Sequence, residues 1–232
     1  MKVELIAYTQ WIDPDKDKNP LSVVEQAASV CYDSTPTDTY RIAKGCKATG
    51  HYSVLESVNF TFYISGVSRT LLAQLSRHRH ISLSVQSQRY VPFNDGFDYV
   101  NPFMPGTEAA LFVDDSMSEV AESYKTLSEV YGAKNEDARA VLPNACCTEL
   151  YMTANARALI EMGYLRLCAR AQAEIRELFQ EIKKQVATVA PEIANWMVPQ
   201  CEKNPKYPFC TERVSCGRHP KLADVYKMEG KQ

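Results

Sequence analysis

Residues 77–90 read Arg77-His78-Arg79-His80-Ile81-Ser82-Leu83-Ser84-Val85-Gln86-Ser87-Gln88-Arg89-Tyr90, with three arginines, two histidines, four hydroxyl residues and no acid. A fold that contains this stretch must either spread the cations into solvent or wrap them around an anion, because guanidinium groups held together repel one another unless an anionic ligand lies between them. The stretch follows the apolar run 67–75 and is interleaved with Ser and Gln, which suits ligand recognition better than open solvent. A nucleotide fits such a site. A solvated basic face or a nucleic-acid patch is the competing reading.

Composition weighs on that choice. The 232 residues carry a net charge of -2 and a pI near 6.1, against the positive excess of a general nucleic-acid binder. No nucleic-acid partner is therefore expected. With 45% hydrophobic residues the chain can bury one large core. The expectation is a single catalytic domain over 1–232, in which 199–232 forms a Pro- and Cys-containing tail. No run approaches the roughly 20 apolar residues of a membrane span. The first residues also lack the apolar core of a signal peptide, so a cytoplasmic protein with no membrane partner is expected.

Eight cysteines are many for such a compartment. Cys31, Cys46, Cys146, Cys147 and Cys168 sit in helix-like or strand-like patterns and read as core thiols. Cys201, Cys210 and Cys216 lack close Cys-x-x-Cys spacing, so free thiols and no metal are expected there.

Alternation predicts strands over 2–9 and 58–65, and a third over 149–153. Apolar positions Leu21, Val24, Ala27, Ala28 and Cys31 recur at three and four residues and predict a helix from near Pro20. Helices are further expected over 68–76 and 108–131, over 136–142 with a stop at Pro143, and over 155–189 with a bend near Gly163. The cluster at 77–90 then falls in an irregular segment, and 92–107 in a surface loop. Strands mixed with helices suggest an α+β domain, with α/β still open.

The cluster also resembles a known signature. Flavin-dependent thymidylate synthases carry Arg-His-Arg-x-x-Ser, five residues ending in a second Ser, then x-Arg-Tyr, matched here at Arg77, His78, Arg79, Ser82, Ser87, Arg89 and Tyr90. Gly50-His51-Tyr52-Ser53-Val54-Leu55-Glu56 resembles the family's Gly-His-x-Thr/Ser-x-x-Glu. Ala138-Arg139-Ala140-Val141-Leu142-Pro143 is similar to Ala-Arg-x-x-Leu-Pro, Asn155-Ala156-Arg157 to Asn-x-Arg, and Leu165-Arg166 to a conserved-type Leu-Arg pair of that family. Val85, Glu161, Arg170 and Cys31 depart from residues common there, at positions that bear on flavin contacts.

The resemblance implies an α+β fold with an antiparallel sheet flanked by helices, assembled as a homotetramer with active sites between subunits. It implies FAD as cofactor, held by His51, Ser53, Arg77, His78, Arg79, Asn155 and Arg157. It implies dUMP as substrate, contacted by Gln74, Arg77, Gln86, Ser87, Gln88, Arg89, Arg139 and Arg166, with NADPH and 5,10-methylenetetrahydrofolate as co-substrates. Arg166 would be catalytic, its guanidinium on the uracil edge stabilising negative charge that develops in the ring. Two rivals remain: another flavin- or nucleotide-dependent oxidoreductase on the same fold, and a phosphate-binding module without chemistry. Glu56 is read either as part of the site or as a carboxylate that orders a neighbouring Arg or His.

Overall fold

The computed structural model of the chain describes residues 1–229. Its four strands, β1 (Lys2–Tyr8), β2 (Asn59–Ser68), β3 (Ile81–Val85) and β4 (Cys147–Asn155), form an antiparallel sheet in the order β1-β2-β4-β3. The helices are α1 (Leu21–Cys31), α2 (Arg41–Thr49), α3 (Arg69–Leu75), α4 (Glu108–Lys125), α5 (Asn135–Ala138), α6 (Ala156–Arg166), α7 (Ala173–Ala187), α8 (Pro191–Trp196) and α9 (Leu222–Glu229). The α+β expectation holds.

Each strand follows from period-two burial. In β2, Phe60, Phe62 and Ile64 are fully buried while Thr61 and Tyr63 between them are not, so one face is apolar. In β4 the buried set is Thr148, Leu150, Met152 and Ala154.

The chain forms two compact units. The first comprises Met1–Lys2, Tyr63–Arg77 and Leu83–Met152. Its core holds Ile64, Val67, Leu71, Leu75, Tyr124 and Leu150, with Phe93 edge-on to Tyr124 at 6.0 Å between ring centres. The second comprises Val3–Phe62, His78–Ser82 and the chain from Thr153. There α1 packs on α2, and α7 on α8, around Leu21, Val24, Leu55, Leu159, Phe179 and Ile182.

Several expectations need correction. The segment 77–90 is not irregular throughout: Ser82, Ser84 and their neighbours form β3, entered through His80 in the left-handed region at φ 62°. Helix α2 and the 3-10 turn Tyr52–Ser57 add to the elements expected from the sequence. The long helix expected over 155–189 is two helices, and the break lies at 167–172 rather than near Gly163. Gly163 sits inside α6, where an added Cβ would come within 3.4 Å of Met197 Cα, so its small size serves close packing and not a bend. Gln172 restarts the chain as α7 by accepting a hydrogen bond from Ile175 N at 3.1 Å. Cys31, expected in the core, is exposed.

Candidate active site

Within the second unit, Arg166 and His78 are joined directly. Arg166 Nε, in the last turn of α6, donates to His78 Nε2 at 2.8 Å. The His78 ring stands beside Phe179, 6.5 Å between ring centres. Burial, then the Arg166 charge, pushes the His78 pKa below the usual imidazole value. Since Nε2 accepts, the proton of the neutral ring resides on Nδ1. Burial also lowers the Arg166 pKa, although a guanidinium starts so high that it stays charged at neutral pH.

A second cluster surrounds the start of α6. Asn155 Oδ1 accepts from Ala158 N at 2.8 Å and caps the helix. Arg157 donates to Glu161 at 2.9 Å and to Glu56 at 2.7 Å, and these two carboxylates raise its pKa in that order. Glu56 is thus the carboxylate that orders an arginine. His51 Nδ1 pairs with Tyr32 Oη at 2.7 Å. His51, Ser53 and Arg157 line one cleft together with Cys31 and Tyr32. Arg79 is exposed in the turn before β3.

In the first unit, Arg89 and Arg139 are both held against Glu136. Arg89 Nη2 lies 2.9 Å and its Nε 3.0 Å from Glu136 Oε2, while Arg139 Nε donates to Glu136 O at 3.1 Å. Ser87 Oγ accepts from Arg89 N at 3.2 Å, and Val91 N returns to Ser87 O at 3.0 Å, which makes 87–91 a tight turn. Gln86 N donates to Glu149 O at 3.0 Å, and Gln88 Nε2 points at Cys146 Sγ at 3.9 Å. Gln74 is half-buried on α3, and Arg77 is exposed just after it.

Sequence reasoning missed four supporting residues. Arg69 Nη2 donates to Gln86 O at 2.8 Å and fixes the backbone beside Ser87. Glu149 binds Tyr63 Oη and receives Gln86 Nε2 at 3.5 Å. Glu136 and Tyr32 are partners of predicted site residues. None lies in a distinctive motif, although Glu136 stands three residues before Arg139, a spacing that puts both on one helical face.

The capping role of Asn155 is separable from any ligand role. Asn155→Ala is expected to cost about 1 kcal/mol of stability, and Asn155→Ser to recover most of it. Urea unfolding of the three proteins measures this; equal stabilities would remove the cap from the account.

Comparison with known proteins agrees with the local patterns. Residues 4–192 match the family described as thymidylate synthase complementing protein. The flavin-dependent thymidylate synthase of Geobacter sulfurreducens is 39% identical over 98% of this chain and 98% of its own length. That of Clostridium tetani is 35% identical over 97% of each. The crystal structure of the flavin-dependent thymidylate synthase from Helicobacter pylori, complexed with FAD and dUMP, superposes with a TM-score of 0.61 at 27% identity, covering 80% of this chain and 93% of that one. No helix among the described residues is long and apolar enough to cross a membrane. With a family match over most of its length and full-length relatives above one third identity, this chain belongs to the flavin-dependent thymidylate synthase family.

Proposed function

We propose that the chain converts dUMP to dTMP by reductive methylation, with 5,10-methylenetetrahydrofolate as carbon donor and NADPH, through FAD, as reductant. The observation that carries the reading is the Arg166–His78 hydrogen bond. It holds a half-buried guanidinium in one orientation against a neutral imidazole, so the cation stands at a fixed place before any ligand arrives. Charge fixed in advance at low water exposure is what an activated uracil ring requires. Arg166 is the proposed catalytic residue.

The residues proposed to hold the flavin fit a dinucleotide in chemical type. His51, Ser53, Arg77, His78, Arg79, Asn155 and Arg157 offer hydroxyl, amide, imidazole and guanidinium donors to phosphate and ring oxygens. Bound FAD would supply the hydride chemistry, which no side chain here can. Gln74, Gln86, Ser87, Gln88, Arg89 and Arg139 are the proposed contacts of dUMP, with Arg77 shared and Arg166 on its base. Glu136 supports this reading, since its carboxylate holds Arg89 where a phosphate would compete for it, while its main-chain carbonyl orients Arg139 close by.

The chain is further proposed to act as one catalytic domain with 199–232 as its tail, as a cytoplasmic homotetramer whose sites draw on neighbouring subunits. Exposed large side chains beside site residues, Tyr90 at 78% and Leu165 at 61%, support such an interface.

The test is the visible spectrum of the purified protein and its formation of dTMP from dUMP, methylenetetrahydrofolate and NADPH. A flavin spectrum with dTMP formed only when all three are present is the expected result. A yellow protein that oxidises NADPH and makes no dTMP would be another oxidoreductase. A colourless one whose phosphate binding collapses with salt would be a binding module.

A further inference from the structure

Four chemistry-bearing side chains outside the proposed catalysis lie around one cavity in the second unit, beyond the end of the family match at residue 192, and two of them, Cys201 and His219, stand together with Glu202. Cys201, Cys210, Cys216 and His219 line one cavity of about 110 Å³. The ligand atoms of Cys201, Glu202 and His219 lie within 4.8 Å of one another.

The backbone is arranged to bring them there. Phe209 N donates to Cys201 O at 3.1 Å, and Cys210 N to Pro220 O at 2.7 Å, so the two cysteine positions and the chain just after His219 are tied together. Cys216 and His219 are separated by two residues, a close pair of the kind that ligates zinc. Gly217, at φ 91°, makes the turn between them, with its N bonded to Ser215 Oγ at 3.1 Å and Ser215 Oγ donating to His219 O at 3.0 Å. Between α8 and α9 the only helical turn among the described residues is the 3-10 turn Gln200–Glu202. Such a segment has few apolar contacts of its own, and a metal is one means of ordering it.

The electrostatics match. His219 Nε2 lies 3.3 Å from Glu202 Oε1, the arrangement in which a metal-bound imidazole gives its remote N–H to a carboxylate and ligates through Nδ1. Three thiolates and a neutral imidazole around a divalent cation leave one negative charge, and Arg170 and Arg218, paired with Glu212 and Glu202, keep the rest of the cavity close to neutral.

We propose that Cys201 and His219, already adjacent, bind one thiophilic divalent cation of the zinc class, that Cys210 and Cys216 are drawn in from the lining of the same cavity to complete a tetrahedral structural site, and that Glu202 positions His219. This departs from the free thiols expected from the spacing of the three cysteines.

The probe is cobalt(II), added to the reduced, chelator-treated holoprotein. The expected result is one equivalent taken up with thiolate-to-cobalt charge transfer and the red-region bands of tetrahedral cobalt, where flavin does not absorb, and their loss on adding zinc. The double variant Cys201→Ser, His219→Ala is expected to lose these bands while keeping its far-ultraviolet circular dichroism. No uptake, or only the weak spectrum of six-coordinate cobalt, overturns the proposal, as does a double variant that retains the bands. Should that variant not fold, native mass spectrometry of the unaltered protein with zinc decides: one ion per chain supports the site, and none refutes it.

Discussion

Arg166→Ala is expected to lower the rate of dTMP formation by roughly 10²–10³-fold, the loss seen when a preorganised donor to a developing negative charge is removed. If the guanidinium acts mainly on the activated ring, kcat and kcat/KM should fall together. A change confined to KM would make Arg166 a binding residue only, and an undiminished rate would remove it from the chemistry. Arg166→Ala should also raise the pKa of His78, because the cation that helps to depress it is gone. An NMR titration of that ring reads this effect separately from turnover. The sign for stability follows from the same depression. Below the ordinary imidazole value of 6.5 the unfolded chain takes up a proton that folded His78 refuses, so the contribution of neutral His78 is intact above that pH and declines as pH falls towards the depressed value.

The largest expected loss of stability from a single polar change is at Glu25. This residue, on α1, is 1% exposed and its carboxylate accepts from Ala43 N at 2.7 Å, Thr37 Oγ1 at 2.9 Å, Thr37 N at 3.0 Å and Ile42 N at 3.3 Å. Tyr40, at the start of α2, adopts φ 53° and provides no side-chain cap, so a carboxylate from another helix serves the first amides of α2. Glu25→Ala strands these donors and is expected to cost roughly 3 kcal/mol. For a chain of this size that lowers Tm by roughly 2–4 °C per kcal/mol. Glu25→Gln, which keeps an acceptor but not the charge, should lose less. Equal Tm values for all three proteins would refute the role. Burial works to raise the pKa of Glu25, yet the hydrogen bonds from Ala43, Thr37 and Ile42 outweigh it and leave the carboxyl below the ordinary range. Its stabilisation is therefore complete above the ordinary carboxylate value and is lost as pH falls through the depressed one.

The strands whose side chains alternate were legible in the sequence, as β1, β2 and the centre of β4 attest. Alternation reports burial of one face, and that is what fixes those strands. β3 alternates strictly as Ile81-Ser82-Leu83-Ser84-Val85, and it is missed because its serines, set among arginines and glutamines, read as the chemistry of a ligand-binding loop. The division of α6 from α7 was hidden for a different reason: Leu167, Cys168 and Ala171 continue a helical composition through a segment whose end is set by the Gln172 cap. Motifs located Arg89, Arg139, Arg157 and Arg166, but not the acids beside them. Glu136 and Glu149 are ordinary residues by type and spacing, and only the folded chain shows that they hold Arg89 and Gln86, two of the proposed site residues.

The interleaving of the two compact units has a genetic consequence. The unit that holds Gln74 and Arg89 resumes at Leu83 after a five-residue excursion, His78–Ser82, which belongs to the unit that holds Arg166. Neither unit is a contiguous stretch of message. No single truncation or fusion junction isolates one of them, and a recombination breakpoint inside 63–152 would divide both at once, so this chain is expected to be inherited and exchanged as a whole.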